Sequence, residues 1–414
     1  VQHVAEAGIA DAGHLLIAPA RLREDETVRR FLGTVLTPER LAADPPDLTG
    51  RTVYLHGAEA AEAAEAAEKS LRAAERVYAV RESDEPGDPG DPAGPGGPPR
   101  AVIGPGRVPL RVGDGAGVYY RRFFDPADDH YGRIRAEHAF QSLTESTKPG
   151  SAHRSGIYLT PVTRDGDDLH FRLLRCSTNL SGPTEGFRAT DTRIVDALNR
   201  EAAAVLRGHA PLNHVLAQVY RNTRATAERK QAKARISAHA DKTKDMPANG
   251  VLAFCTFYDR TEGLLPLAED PYDLGVRGVS ALTRLRFRPK EEPAAGTAGG
   301  GFTVTLHPGS VLLVPLSTNR RHTHEIRPSA LPADLLPTRL GYVVRCSAAE
   351  AVHRDGRTYL KTPAGPAELR PPTQDGMDEL RRLYAEENRS TAPVDYGGRF
   401  PFSMNAGDYT APRI

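Results

Sequence analysis

Residues 235–259 read RISAHADKTKDMPANGVLAFCTFYD. The stretch opens on a short apolar–polar alternation, reaches His239-Ala240-Asp241, crosses a polar run and ends in the apolar VLAFCTFYD. Side chains two apart on a strand share a face. The imidazole of His239 and the carboxylate of Asp241 therefore point the same way, at a strand tip just before a loop. Such a pair can bind one metal ion if a third ligand comes from elsewhere in the chain.

Residues 307–328, HPGSVLLVPLSTNRRHTHEIRP, offer three candidates: His307 in a turn before a strand, and His322 and His324 after that strand and a short polar loop. A single histidine is more often structural than a ligand. Two histidines and one carboxylate, however, make a facial triad that leaves metal positions open for substrate and oxygen. A further feature lies in PTRLGYVVRC, residues 337–346, where Arg339 stands fifteen positions after His324 at the start of an apolar strand. A buried guanidinium is costly unless paired, and its planar fork suits a carboxylate. An internal ion pair is the plainer explanation of that arginine alone. Beside the triad, a bound dicarboxylate becomes the better one.

Outward from these segments the chain is rich in strands. GVYYRRFF, SGIYLTPV, NHVLAQVY, ARISAHA, GVLAFCTFYD, SALTRLRFRP, GFTVTLH, SVLLVPLS and TRLGYVVRC follow one another from residue 117 onward, separated by turn signals. Between them, residues 191–208 place Ile194, Val195, Leu198, Ala202, Val205 and Leu206 at helical spacing. Many strands after one amphipathic helix point to an antiparallel sandwich or jelly-roll core with helices outside it.

Upstream, residues 57–76 have high helix propensity but little apolar bulk, which reads as a surface helix between the short strands TVYLH and VYAV. Residues 82–100 are dominated by Pro, Gly and Asp and read as a linker. The organisation expected is an N-terminal segment over 1–81, that linker, a core domain over 101–349 with a flexible loop at 290–301, and a C-terminal helix and tail over 350–414.

Composition narrows the function classes. The chain has 414 residues, 54 Lys+Arg against 53 Asp+Glu, and a net charge of +1. A dedicated DNA-binding domain usually carries a clear basic excess, so nucleic acid has to be argued from a local patch. The three cysteines, Cys176, Cys255 and Cys346, lie far apart without any CxxC pair and read as free thiols of a reducing compartment. No run approaches a membrane span, and a cytoplasmic location follows as an expectation. The sequons at Asn179 and Asn388 are then chance matches. NTPase, serine hydrolase and zincin signatures are missing.

With these residues in hand, the chain resembles the Fe(II)/2-oxoglutarate dioxygenases of the TET/J-binding-protein group, related to the AlkB group. The similarity is carried by His239-x-Asp241, the polar loop with Asn249-Gly250, the strand with Cys255-Thr256, distal His324, and Pro337-Thr338-Arg339. It spans about 118–346. It implies an α+β fold with a double-stranded β-helix (jelly-roll, cupin-like) core and flanking helices. It implies Fe(II), 2-oxoglutarate and molecular oxygen, with His239, Asp241 and His324 as catalytic metal ligands and Arg339 on the distal carboxylate. Arg345 matches a second arginine of the AlkB pattern. Gln218 and Tyr220 fall where that group contacts the co-substrate, although Gln replaces Asn there and Tyr220 lies nineteen positions before His239. His322 stays a rival third ligand, and the arginine spacing favours His324. Retaining Asp241 favours hydroxylation over halogenation.

The substrate implied is the 5-methyl group of a pyrimidine, thymine or 5-methylcytosine, in DNA or a nucleotide. Residues 221–235, RNTRATAERKQAKAR, add a basic run beside the metal strand that could meet phosphates, although such runs are usually solvated surface. Arg175, Asn179, Asp245 and Arg235 are candidate substrate contacts, with turn capping as the alternative for Asn179 and Asp245. A small-molecule tailoring hydroxylase and a non-catalytic β-sandwich binding protein remain the competing readings.

Overall fold

The computed structural model describes residues 5–84, 101–144, 148, 152–176, 179–292 and 300–414. Most of the linker expected over 82–100 and of the loop over 290–301 lies outside them.

The N-terminal unit is a parallel sheet. Its strands are β1 (His14–Ile17), β2 (Thr34–Leu36), β3 (Thr52–His56), β4 (Arg76–Val80) and β5 (Ala101–Ile103), in the order β2–β1–β3–β4–β5. Parallel strands need crossovers, supplied here by helices such as α1 (Pro38–Ala43) and α2 (Ala58–Ala66). The alanine-rich stretch is no bare surface helix. Ala60 and Ala64 pack on Leu15, Ile17, Val53 and Leu55, and the small methyls let α2 sit close to the sheet. Ala101–Ile103, which the expected boundary gives to the core domain, is an edge strand of this sheet. The unit docks on the core through Gly8–Ile9 paired with Leu206–Arg207, His14 Nε2 against the Ala204 carbonyl (2.9 Å), and Arg121 Nη2 donating to Thr27 Oγ1 (2.6 Å).

The core strands, in chain order, are β6 (Leu110–Val112), β7 (Gly117–Tyr120), β8 (Arg154–Thr160), β9 (His214–Tyr220), β10 (Ile236–His239), β11 (Val251–Asp259), β12 (Arg284–Pro289), β13 (Phe302–Thr305), β14 (Val311–Pro315), β15 (His322–Arg327) and β16 (Thr338–Arg345). The major sheet runs β8–β9–β16–β11–β14–β7–β6, antiparallel throughout this path, with Glu185–Gly186 parallel at the β8 edge. The minor sheet runs β10–β15–β12–β13. One face of the major sheet carries α3 (Ala189–Val205), whose Ile194, Val195, Leu198, Ala202 and Val205 bury against Ile157, Val215, Ala217, Leu340 and Val344. The opposite face packs on the minor sheet, where Leu252, Phe254, Leu312 and Val314 meet Leu285, Phe287, Val304 and Ile326. This sheet-on-sheet layer with an outer helix is what the alternation in the sequence calls for.

Two further features depart from the sequence reading. The polar run after β14 is no loop but a short helix, α4 (Leu316–Arg321), and His322 and His324 lie on β15 itself. The chain after Cys346 contributes three more strands, Ala349–Arg354, Arg357–Thr362 and Gly365–Glu368, to a five-stranded sheet before α5 (Gln374–Arg389). No helix among the described residues is long and apolar enough to cross a membrane.

Candidate metal centre and cavity

The edge strand β10 ends at His239, and its antiparallel partner β15 sets His324 directly opposite. The two rings lie 4.5 Å apart between centroids. Asp241 follows at the start of the β10–β11 loop. Its Oδ1 lies 3.6 Å from His239 Nε2 and 3.5 Å from His324 Nε2. Such separations are long for hydrogen bonds. The ligand atoms of the three residues all fall within 4.8 Å of one another. His239 Nδ1 lies 2.9 Å from the Ser237 carbonyl. A carbonyl only accepts, so Nδ1 carries the hydrogen and Nε2 keeps its lone pair for a metal.

Asp241 is fixed from both sides. Asn319 on α4 accepts from the Asp241 amide (2.8 Å) and donates to its carbonyl (3.0 Å). Arg345 donates through Nε (2.7 Å) and lies 2.6 Å away through Nη2, both at Oδ2. The outer oxygen is thereby occupied and Oδ1 faces the two imidazoles. Burial acts to raise the Asp241 pKa, but the charge of Arg345 and the contacts with both histidines prevail and hold it well below the usual carboxylate range. Burial above all, with the Arg345 charge adding to it and Asp241 opposing, pushes His324 down to about 3. A carboxylate and a neutral imidazole are the forms that ligate.

These groups open into a cavity of about 560 Å³ between the two sheets. Strand β16 supplies Arg339, Gly341, Val343 and Arg345 to its wall, one face of the strand. Arg339 is buried, stacks its guanidinium 4.1 Å over the Tyr220 ring, and has no carboxylate partner among the described residues. Tyr220 in turn donates to Gln218 Oε1 (2.7 Å). Gly341 makes this possible: a Cβ there would lie 2.8 Å from Arg339 Nη1 and 3.3 Å from Tyr220 Cε2. Arg345 Nη1 is buried without a hydrogen-bond partner among the described residues. Two imidazoles, a carboxylate and two guanidinium groups with donors to spare form a donor set that fits a divalent metal together with a dicarboxylate.

The remaining candidates separate clearly. His322 does not reach the cluster. Its Nδ1 faces the Thr318 carbonyl (3.1 Å) at the end of α4. His307 joins Tyr119 (2.9 Å) and Asp270 (2.9 Å) elsewhere. Asn179 and Arg235 line the cavity. Arg175 and Asp245 do not. They form a buried ion pair, Nη2 to Oδ1 at 2.7 Å and Nε to Oδ2 at 3.0 Å, and Arg175 also donates to the Phe400 and Phe402 carbonyls. Asp245 also accepts from Lys244 Nζ (3.0 Å), so the contacts of both side chains run to each other, to Lys244 and to the C-terminal segment. The sequence reading passed over Arg154, Tyr158, Cys176 and Lys242, all on the cavity wall. Lys242 had a signal, adjacency to Asp241. Tyr158 and Cys176 sit on separate elements and had none. Cys255 and Cys346 are buried and Cys176 half-buried, all as free thiols.

No family model and no curated protein matches this chain. Among solved structures, similarity extends to OsALKBH1 (15% identity, 56% of this chain and 97% of that one, TM-score 0.29). It extends also to the non-heme alpha ketoglutarate dependent epimerase SnoN from nogalamycin biosynthesis (14%, 63% and 92%, TM-score 0.33). A third is EvdO2 from Micromonospora carbonacea var. aurantiaca, complexed with 2-oxoglutarate (10%, 63% and 90%, TM-score 0.25). Likeness at this level carries no argument about this chain's substrate.

Proposed function

We propose that this chain is an Fe(II)- and 2-oxoglutarate-dependent dioxygenase built on a double-stranded β-helix, and that it hydroxylates the 5-methyl group of a pyrimidine base. One arrangement supports the reading above all: His239, Asp241 and His324 converge in a cavity whose wall also carries Arg339, a buried cation with no carboxylate partner among the described residues. His239, Asp241 and His324 would hold the iron. Arg339, backed by Tyr220 and Gln218, would take the distal carboxylate of 2-oxoglutarate.

When bound, the iron and co-substrate with oxygen supply the oxidising power that converts C–H to C–OH, while 2-oxoglutarate becomes succinate and carbon dioxide. The chain's own residues bind and orient. Arg345 keeps Asp241 ionised and turned so that one oxygen remains for the metal. Tyr220 and Gly341 fix the guanidinium plane of Arg339 and so the direction from which a carboxylate enters. Phe254 and Phe287 pack on His324, with ring centroids at 5.4 and 5.3 Å, and exclude water from its side of the centre.

The nucleic-acid part of the reading draws on charge placement. Arg284, Arg286 and Arg288 alternate with Leu285 and Phe287 along β12, so all three face outward from the minor sheet. Arg327 stands directly opposite Arg284, a like-charge pairing that is unfavourable by itself. Glu325 is the acid of this face, 3.7 Å from Arg286 and 3.1 Å from Arg288. In a chain of net charge +1, such a concentration on the outer face of the sheet whose inner face carries His324 favours a polyanionic substrate that extends past the cavity.

Anaerobic addition of Fe(II) and 2-oxoglutarate should give the visible metal-to-ligand charge-transfer band, and aerobic incubation with 5-methylcytosine- or thymine-containing DNA should give a base heavier by one oxygen by mass spectrometry. A band with no oxidised base would retain the dioxygenase and discard the pyrimidine. No band in the folded chain would discard both.

A further inference from the structure

The backbone of the loop that carries Asp241 is held by an element outside the cavity wall. Residues 240–243 leave β10 without regular structure, so their amides need partners. Asn319 takes the amide of Asp241. The C-terminal helix α5 takes the amides on either side. Asn388 Oδ1 accepts from the Ala240 amide at 2.9 Å, and the Glu387 carboxylate accepts from the Thr243 amide at 3.2 and 3.3 Å and from the Thr243 hydroxyl. Lys242 Nζ donates to the Tyr384 carbonyl at 3.3 Å and lies 5.4 Å over the Tyr384 ring.

The sequence of α5 shows that this contact is not incidental packing. Leu380, Leu383, Tyr384 and Glu387 are the buried residues of the helix, at the i, i+3, i+4, i+7 spacing of an apolar stripe. The fourth position of that stripe is a carboxylate, 6% exposed. An apolar side chain there would seat the helix at lower desolvation cost. Glu387 instead links the loop to Tyr396, whose hydroxyl donates at 2.5 Å, while its own carbonyl accepts from Lys290 Nζ at 2.5 Å, just beyond β12. The helix is anchored separately by Leu380, Leu383 and Tyr384 against Tyr396, Phe400 and Phe402.

We infer that α5 is a positioning element of the metal centre, in which Asn388 and Glu387 hold the backbone flanking Asp241 and thereby set where its carboxylate points. The inference rests on the reading of His239, Asp241 and His324 as metal ligands. Residues that orient a ligand without touching the metal typically govern affinity by about ten- to a hundred-fold.

The test is Mn(II) affinity of the full chain, read from the electron paramagnetic resonance of free Mn(II), with the thermal midpoint measured alongside. Asn388→Leu removes the acceptor at similar size and should weaken Mn(II) binding by about ten- to a hundred-fold. Asn388→Asp restores an acceptor oxygen and should bind as wild type. Leu383→Ala loosens the helix without touching the loop and should lower the midpoint while leaving Mn(II) affinity in place. Glu387→Leu, which removes the acceptor of the Thr243 amide, gives the same readout if Asn388→Leu does not fold. Wild-type affinity in Asn388→Leu, or in Glu387→Leu where that variant replaces it, would overturn the inference. So would losses that follow the thermal midpoint across every variant, Leu383→Ala included. A wild-type chain that binds no Mn(II) would instead remove the metal reading on which the inference stands.

Discussion

His239 and His324 are cross-strand partners, set opposite one another by the register of β10 against β15. That register places His324, the histidine the arginine spacing favours, beside His239 and Asp241, and leaves His322 outside the group. His322 lies two positions earlier on the same strand, beyond the end of β10, opposite Pro289 of β12 and against the Thr318 carbonyl. His324→Ala should therefore abolish the Fe(II)/2-oxoglutarate charge-transfer band, and His322→Ala should keep it while lowering the thermal midpoint. The reverse pattern in an anaerobic titration would assign the third ligand to His322.

Arg339 and Gly341 form a second test, of the co-substrate. Removing one member of a buried charge pair costs about 2–5 kcal/mol, so Arg339→Gln should raise the KM for 2-oxoglutarate by the corresponding factor. Gly341→Ala is the finer probe. The three atoms nearest the added Cβ belong to the flexible tip of Arg339 and the Tyr220 ring. The fold should survive with little change in thermal midpoint, while 2-oxoglutarate binding weakens by up to about 100-fold from a misplaced guanidinium. An unchanged KM in both variants would place the dicarboxylate elsewhere.

Much of the site was legible because its information is local. His239 and Asp241 are two apart, Arg339 and Arg345 share a strand, and alternation gives their common face. The strands of the core were legible for the same reason. What escaped depends on contacts between distant residues. Asn388 reaches Ala240 across 148 positions and Arg175 reaches Asp245 across 70, and no local pattern announces either. The short strand Thr34–Leu36 is legible only through its parallel pairing with β1. The helix α4 was hidden by its polar sequence. It forms because the chain must turn between β14 and β15, and there it delivers Asn319 to Asp241.

The buried pair of Arg175 and Asp245 predicts stability without catalysis. Arg175→Ala leaves Asp245 with Lys244 as its remaining cation at 3.0 Å and strips a donor from the Phe400 and Phe402 carbonyls. Breaking such a pair costs about 3–5 kcal/mol. Denaturant melts should show that loss, and 2-oxoglutarate affinity should be unchanged under conditions where the variant is folded. A selective loss of substrate turnover at full stability would return Arg175 to the substrate side.

The C-terminal tail carries a pH dependence of unusual sign. Asp408 is fully buried, accepting from Ser403 Oγ (2.5 Å) and Asn405 Nδ2 (2.9 Å). Burial raises its pKa from 3.8 to about 6, with Asp245 adding to the rise and its hydrogen bonds and Arg175 opposing it. A carboxyl raised in the folded state binds its proton more tightly there than in the unfolded chain. Its contribution is most favourable below about pH 4, declines as pH rises from about 4 to about 6, and stays at its least favourable above that. At 1.36 kcal/mol per tenfold displacement of the equilibrium, the swing is about 3 kcal/mol. Asp408→Asn cannot ionise and escapes it. The stability of Asp408→Asn relative to wild type, from denaturant melts at pH 4 and pH 7, should therefore improve by about 3 kcal/mol at the higher pH. A difference independent of pH would show that Asp408 titrates in the folded chain as it does in the unfolded one.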